Sequence, residues 1–203
     1  DTEVIVAAPS HPEALDGPAV LVSDIGIRVT STDSWSFRTQ GDVKSVVPDK
    51  GQLGTRVFIS GNELQAYASK VVKVTLAGVE ASIEQQTNNF VEVVADSGEA
   101  DGTGDIVILT DSGAFVTSAD AWTYSSVGAI DSVTPDSGAF GTVVEMVGSD
   151  LLNGGANIVT VTLAGVEAKL VEENSSYVKI IAPTSAAKTG DVVLTTNTEA
   201  TVT

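Results

Sequence analysis

An internal repeat constrains this chain more than any other feature of its sequence. Residues 74–81 read VTLAGVEA, and residues 161–168 read the same eight letters 87 positions later (161 − 74 = 87). The same offset superimposes further identical residues: Pro48 on Pro135, Gly51 on Gly138, Gly61 on Gly148 and Leu64 on Leu151. A period of this length matches one small domain, so the sequence predicts an array in which each copy builds its own core.

A third, partial copy precedes these two. Residues 20–35 fall on residues 107–122 at the same offset, and Trp35 meets Trp122. The sequence therefore predicts three segments: residues 1–40 as the rear half of a repeat, 41–127 as a complete repeat, and 128–203 as a repeat lacking its last strand. Because half a sandwich cannot bury its own apolar face, we expect a longer chain, or neighbouring molecules, to complete the outer copies.

The composition and the spacing of apolar runs predict an all-β fold. The apolar residues make up 42% of the chain, with 5% aromatic, and they are mostly Val, Ile, Leu and Ala, which favours strands. Short apolar runs are separated by turn residues at the spacing of a β-sandwich. In the complete copy the predicted strands are 43–47, 55–60, 72–76, 79–83, 90–94, 105–110 and 115–124. This makes about seven strands per repeat, and at most one helical turn is expected, at residues 63–69.

Glycines and apolar residues also follow one another in the same order in both copies. The order runs from Pro48 through Gly51 and Gly61 to the segment 74–81 and then to Gly104, and it recurs in the following copy with Gly190 in place of Gly104. This order resembles the IPT/TIG family of immunoglobulin-like domains. The resemblance implies tandem immunoglobulin-like β-sandwiches, of a family found in surface receptors, surface proteins of bacteria and algae, starch-acting enzymes and some transcription factors.

Charge and cysteine content exclude several classes of function. The formal net charge of −17 repels polyanions, so nucleic acid is not expected as a partner. The chain has no Cys, which excludes disulfides, thiolate metal sites and Cys nucleophiles. No apolar run approaches the roughly 18 residues of a membrane span, so none is predicted in this segment.

The sequence holds no recognisable catalytic or metal motif. His11 is the single imidazole, so a zinc site or a Ser-His-Asp triad would need residues from outside the chain. The acidic loop 96–105 has carboxylates that could bind Ca²⁺, yet its counterpart at 183–191 retains only Asp191, which favours a solvated turn. Trp35 and Trp122 are predicted to pack in a core or between repeats. We therefore expect no catalytic, cofactor or metal-binding residues and no enzyme activity.

One modification site is predicted. Asn174-Ser175-Ser176 is an N-glycosylation sequon in a polar stretch that we expect to be exposed. It would be used only in a secreted protein of a glycosylating cell.

These features together predict a structural spacer or assembly repeat of an extracellular filament, appendage or large adhesin, located outside the cell or on its surface. The expected partners are neighbouring repeats of the same chain, further copies in self-assembly, or other surface proteins. Two alternatives remain open: a ligand-binding module for carbohydrates or a receptor-like partner, and an accessory domain of a polysaccharide-acting enzyme.

Overall fold

The computed structural model describes residues 3–9, 13 and 15–203, which form two compact units, Asp1–Gln40 and Gly41–Thr203. In the first unit, β1 (Leu15–Val22) and β2 (Arg28–Phe37) pair antiparallel, and we call this pair the N-terminal hairpin. The turn between them is closed by a hydrogen bond of 3.0 Å that the Gly26 amide donates to the Ser23 carbonyl. Gly26 has a φ of +81°, a conformation that glycine adopts without steric cost.

The second unit contains two β-sandwiches, which we call the first repeat (residues 42–124) and the second repeat (residues 129–203). The strands of the first repeat are β3 (Asp42–Val47), β4 (Lys50–Gly51), β5 (Arg56–Asn62), β6 (Val71–Leu76), β7 (Val79–Gln86), β8 (Phe90–Val94), β9 (Thr103–Thr110) and β10 (Phe115–Tyr124). One layer has the order β3-β5-β8-β7, and the other has the order β7-β6-β9-β10-β4, so β7 belongs to both.

The second repeat has the same two layers in the same order, except that no counterpart of β4 is present among its described strands. Its strands are β11 (Ala129–Thr134), β12 (Val143–Ser149), β13 (Ile158–Leu163), β14 (Val166–Glu167), β15 (Lys169–Glu173), β16 (Tyr177–Ile181), β17 (Val192–Thr196) and β18 (Thr201–Val202). One layer runs β11-β12-β16-β15 and the other runs β14-β13-β17-β18. Here the crossing strand is broken into β14 and β15 at the buried Ala168, which is the equivalent of the buried Ala81 in β7.

The duplicated segment VTLAGVEA forms the same hairpin in both repeats. Its tight turn needs positive φ at both central residues, and the structure has +47° and +85° at Ala77 and Gly78 and +50° and +76° at Ala164 and Gly165. The two copies therefore lie in equivalent surroundings, as the repeat predicts.

Each repeat has its own apolar core between its two layers. The first core is built from alternating residues of both layers, for example Val57 and Ile59 of β5 with Ile106 and Ile108 of β9, and it contains Trp122 and Tyr124. The second core contains Met146 of β12, Val161 of β13, Ile180 of β16 and Leu194 of β17. The prediction of all-β tandem immunoglobulin-like sandwiches is confirmed.

The N-terminal hairpin has the register of the β9–β10 hairpin of the first repeat. Trp35 pairs with Gly17 as Trp122 pairs with Gly104, and Val29 pairs with Leu21 as Val116 pairs with Ile108. The two hairpins differ in burial. Trp122 is fully buried in the core of the first repeat, whereas the side chain of Trp35 is 53% exposed.

Several details differ from the sequence prediction: β7 ends at Gln86 rather than at residue 83, β9 begins at Thr103 rather than at residue 105, and the short strand β4 is an eighth strand. The strand predicted at 55–60 continues as β5 through Gly61 to Asn62, because Gly61 and Asn62 still pair with Val43 and Asp42 of β3. Residues 63–69 form turns rather than a helical turn, since Glu63, Ala66 and Tyr67 all have positive φ. No helix that could cross a membrane is present in the part of the chain that the structure describes.

Candidate functional site: the joint between the two repeats

The most elaborate polar arrangement in the described residues lies where the two repeats meet, and we call it the joint. The loop before β5 in the first repeat reaches the turn between β17 and β18 of the second repeat. There the Arg56 amide donates to the Thr198 carbonyl at 2.9 Å, and the Cα of Ala200 lies 4.0 Å from the position that a Cβ on Gly54 would take. The backbones of the two repeats are therefore in direct hydrogen-bonded contact.

The side chain of Arg56 bridges the two repeats. One terminal nitrogen of its guanidinium donates to Glu92 of β8, in the same repeat, and the other donates to the Glu199 carboxylate of the second repeat at 2.8 Å. These hydrogen bonds, first that of Glu199 and then that of Glu92, raise the pKa of Arg56 above its usual value, so Arg56 is a cation at neutral pH. The Glu92 side chain is 8% exposed and the Glu199 side chain 61%, so the contact with Glu92 is the more shielded of the two.

A close backbone approach completes the joint. Gly154 has a φ of +79°, and a Cβ at this position would lie 2.9 Å from the Cα of Gly51 and 3.4 Å from the carbonyl oxygen of Lys50. These are backbone atoms of the first repeat, which cannot rotate away as a side chain could. Only glycine at position 154 lets the two repeats come this close.

The linker of residues 125–128 is hydrogen-bonded at both of its ends. The Ser125 amide donates to the Gly51 carbonyl at 2.7 Å, and the Gly128 amide donates to Oδ1 of Asn153 at 3.2 Å. Asn153 is buried, and its Nδ2 also donates to the Thr201 carbonyl at 3.0 Å. A four-residue linker held in this way leaves little freedom for the angle between the repeats.

The predicted sequon lies on the surface of the second repeat. Asn174 is exposed in the turn between β15 and β16, and its Oδ1 accepts hydrogen bonds from the amide of Ser176 at 2.9 Å and from its hydroxyl at 3.1 Å. The side chain of Asn174 is thus accessible. Its use as a glycosylation site stays a prediction.

The acidic loop 96–105 packs around Tyr124 at the end of β10. The Asp101 amide donates to the Tyr124 carbonyl at 2.6 Å, and the Tyr124 amide donates to the Gly102 carbonyl at 3.0 Å. The tyrosine ring lies directly over Gly98, where a Cβ would be 2.4 Å from the ring. Among the described residues, no group of three or more His, Cys, Asp and Glu side chains could hold a metal ion.

The remaining candidates are not brought together into a site. Trp122 lies in the core of the first repeat, so core packing is correct for this residue, but Trp35 is half exposed and occupies no core in this structure. His11 lies outside the described residues.

Burial of Tyr124 should make the free energy of unfolding depend on pH in the alkaline range. Burial, and next the charge of Asp96, raise the pKa of Tyr124 to about 12, and its hydroxyl has no hydrogen-bond partner in the described structure. The folded state thus favours the neutral phenol, so its contribution is intact below the unfolded pKa near 10 and is lost as the pH rises towards 12. We expect the free energy of unfolding to fall by about 2 kcal/mol more in the wild type than in Tyr124→Phe between about pH 10 and pH 12.

Urea unfolding of both variants, followed by far-UV circular dichroism, measures this difference. The comparison isolates Tyr124, because the two variants share every other ionisable group. At neutral pH the phenylalanine variant should be as stable as the wild type, since it removes a buried hydroxyl that lacks a partner. Equal alkaline losses in the two variants would contradict the assignment.

The sequence did not identify Arg56, Gly154 and Glu199 as residues of the joint, because none of the three is repeated in the other copy. At the offset of 87, Arg56 corresponds to Val143 and Gly154 to Tyr67; after the loop that is one residue shorter (190 − 104 = 86), Glu199 corresponds to Gly113. What marks these residues in the sequence is that the two copies differ at their positions. The ion pair joins two non-equivalent positions of successive copies, Arg56 at the start of β5 and Glu199 in the turn between β17 and β18, so the repeat pattern neither predicts nor excludes it.

Comparison with known proteins identifies the domain type of both repeats. The family model of the IPT/TIG domain matches residues 42–124 and 129–203. No curated protein matches this chain significantly.

Two solved structures of the plexin A4 extracellular region have a similar fold. The structure of domains 1 to 10 is 18% identical with a TM-score of 0.55, and the alignment covers 88% of this chain and 16% of plexin. The structure of domains 1 to 8 is 20% identical with a TM-score of 0.52, and the alignment covers 80% of this chain and 17% of plexin. This chain therefore spans a small part of those receptors, and at this identity the likeness concerns the fold alone.

A third match is SGBP-B from a xyloglucan utilization locus of Bacteroides uniformis. It is 18% identical, the alignment covers 81% of this chain and 48% of that one, and the TM-score is 0.34.

Proposed function

Because this chain belongs to the IPT/TIG domain family and carries two copies in tandem, we propose that it is a non-enzymatic structural spacer of an extracellular filament, appendage or large adhesin. The observation that carries the proposal is the joint, in which one repeat is held against the next by the bonds of Arg56 and by the close approach of Gly154. A spacer must hold its ends at a fixed distance and angle, and a joint with backbone contact does this better than a flexible linker.

The surface charge is consistent with this role. The net charge of −17 disfavours non-specific collapse and keeps an array of many copies soluble. The expected partners are neighbouring repeats, further copies of the chain and other surface proteins.

A substitution at Gly154 tests the rigidity of the joint. Gly154→Ala places a Cβ against the backbone of Gly51, so the repeats have to separate. The chain has no Cys, so spin labels can be attached to cysteines introduced at exposed positions of the two repeats, such as Glu84 and Glu172. We expect a single narrow distance distribution for the glycine form and a shifted, clearly broader distribution for Gly154→Ala.

Gly165→Ala is the matched control. Gly165 also has positive φ, at +76°, but a Cβ there meets nothing within 4 Å, so the variant has the same backbone strain without the collision. It should keep the narrow distribution. A broad distribution in the unsubstituted chain would contradict the rigid spacer.

The extracellular location is tested separately. Antibodies against this chain should label intact cells of its source. Labelling that requires permeabilised cells would overturn that part of the proposal. A screen against neutral and acidic glycans tests the alternative function as a carbohydrate-binding module, since specific binding there would favour that alternative over a spacer.

A further inference from the structure

The joint contains two neighbouring residues that can react with each other. Residues 153 and 154 read Asn-Gly, and this pair occurs once in the sequence. The amide nitrogen of the residue after an asparagine can attack the asparagine side chain, and a glycine hinders this attack least because it has no Cβ. An Asn-Gly pair is therefore the asparagine site most prone to spontaneous loss of ammonia.

The contacts of the joint require both residues of this pair. Gly154 cannot be exchanged, because a Cβ there would lie 2.9 Å from the Cα of Gly51. Asn153 uses both atoms of its amide: Oδ1 accepts from the Gly128 amide at 3.2 Å, and Nδ2 donates to the Thr201 carbonyl at 3.0 Å. An ionised aspartate could accept the first bond but has no hydrogen to donate in the second. The packing of the joint thus keeps a reactive pair in place.

The folded chain holds the two reacting groups apart from other conformations. Asn153 is 1% exposed, its backbone amide donates to the Asp150 carbonyl at 2.8 Å, and the Gly155 amide donates to the Leu152 carbonyl at 2.7 Å. Gly154 lies against the backbone of the first repeat. Attack requires the Asn153 side chain and the peptide between residues 153 and 154 to rotate, so these contacts have to break first.

We propose that Asn153 is a self-modification site that limits the lifetime of the joint. When the joint opens, the Gly154 nitrogen loses its proton and bonds to Cγ of Asn153, and ammonia leaves. Water then opens the cyclic imide at one of its two carbonyl carbons. Opening at Cγ gives aspartate, and opening at the main-chain carbonyl gives isoaspartate. The net reaction consumes one water and releases one ammonia.

Neither product fits the closed joint. Aspartate buries a carboxylate beside the Thr201 carbonyl, so two acceptors face each other without a donor. Isoaspartate adds one carbon to the main chain between residues 153 and 154, where the backbone of Gly51 leaves no room. Opening therefore becomes permanent once the reaction has occurred. The inference rests on the proposed spacer function and deepens it, because it names the event that ends the rigidity of the array.

The rate of conversion in the folded and the unfolded chain tests the protection of Asn153. The chain is incubated at mildly alkaline pH with or without urea and digested with chymotrypsin. Liquid chromatography with tandem mass spectrometry then separates the asparagine, aspartate and isoaspartate forms of each peptide. We expect conversion of Asn153 to be at least about tenfold slower in the folded chain than in urea. The exposed Asn174 is the internal reference and should convert at nearly the same rate in both.

Arg56→Ala tests whether the joint controls this rate. The variant removes the side-chain bond to Glu199 and keeps the Asn-Gly pair. It should speed the conversion of Asn153 several-fold and leave that of Asn174 unchanged. Equal rates at Asn153 in the folded chain and in urea, or an unchanged rate in Arg56→Ala, overturn the proposal.

Spin-label distances between the repeats test the effect of the product. Asn153→Asp carries the carboxylate of the product, and Asn174→Asp makes the same change at an exposed position as the matched control. We expect a shifted, broader distribution for Asn153→Asp and the narrow distribution for Asn174→Asp, with strands retained in both by circular dichroism. A narrow distribution for Asn153→Asp, or a broad one for both variants, overturns the proposal and leaves the spacer standing. A broad distribution in the unsubstituted chain rejects the rigid joint itself.

Discussion

Replacing Trp122 with alanine is expected to lower the free energy of unfolding of the first repeat by about 3 to 5 kcal/mol. Trp122 is fully buried, and it packs edge to face on Tyr124 in the core that both layers share. Its removal leaves a cavity that strands of two hydrogen-bonded sheets cannot collapse to fill. Urea unfolding followed by far-UV circular dichroism measures the loss without relying on tryptophan fluorescence.

Trp35→Ala is the matched control for this prediction. Trp35 has the same position in its hairpin and the same kind of partner, but 53% of its side chain is exposed. Measured at a concentration where the chain is monomeric, its replacement should cost less than about 1 kcal/mol, as for most surface substitutions. Equal losses for the two tryptophans would mean that position in the repeat, rather than burial, sets their contribution.

Replacing Arg56 with alanine is expected to lower the unfolding free energy more than any other single change in this network, because it leaves the carboxylate of Glu92 buried without its cation. Glu199→Ala removes the other partner of the same guanidinium but should cost less than about 1 kcal/mol, since the Glu199 side chain is 61% exposed. The two variants differ in what they leave behind: Arg56→Ala leaves Glu92 buried without a cation, whereas Glu199→Ala leaves Arg56 paired with Glu92.

Two further measurements decide how the Arg56 network acts. The double variant Arg56→Met with Glu92→Leu should recover much of the stability lost in Arg56→Ala, because no buried charge is left unpaired. A double-mutant cycle between Arg56 and Glu199 isolates the coupling across the joint, which should be favourable but small because Glu199 is mostly exposed. A loss in Glu199→Ala as large as in Arg56→Ala would contradict this ranking.

The fold was predictable to a large extent because its determinants are local and occur twice. The positions of β6 and β7 follow from the segment VTLAGVEA, whose Ala-Gly pair permits a tight turn with two positive φ angles. The alternation of buried and exposed residues in β12 is visible in its sequence. The sequence places the end of β5 at residue 60, because Gly61 is a local signal against strand, whereas the pairing of Gly61 and Asn62 with β3 is a tertiary contact.

The sequence by itself determined the period, the all-β class and the family of the repeats, because turn glycines and alternating apolar residues act on neighbours a few positions away. Only the tertiary structure decided that Arg56 meets Glu199, that Gly154 meets Gly51, and that Trp122 is buried while Trp35 is exposed. These outcomes depend on how two sandwiches dock and on which strands cover a hairpin. The energy of a contact between distant residues is set by that placement, which no local pattern encodes.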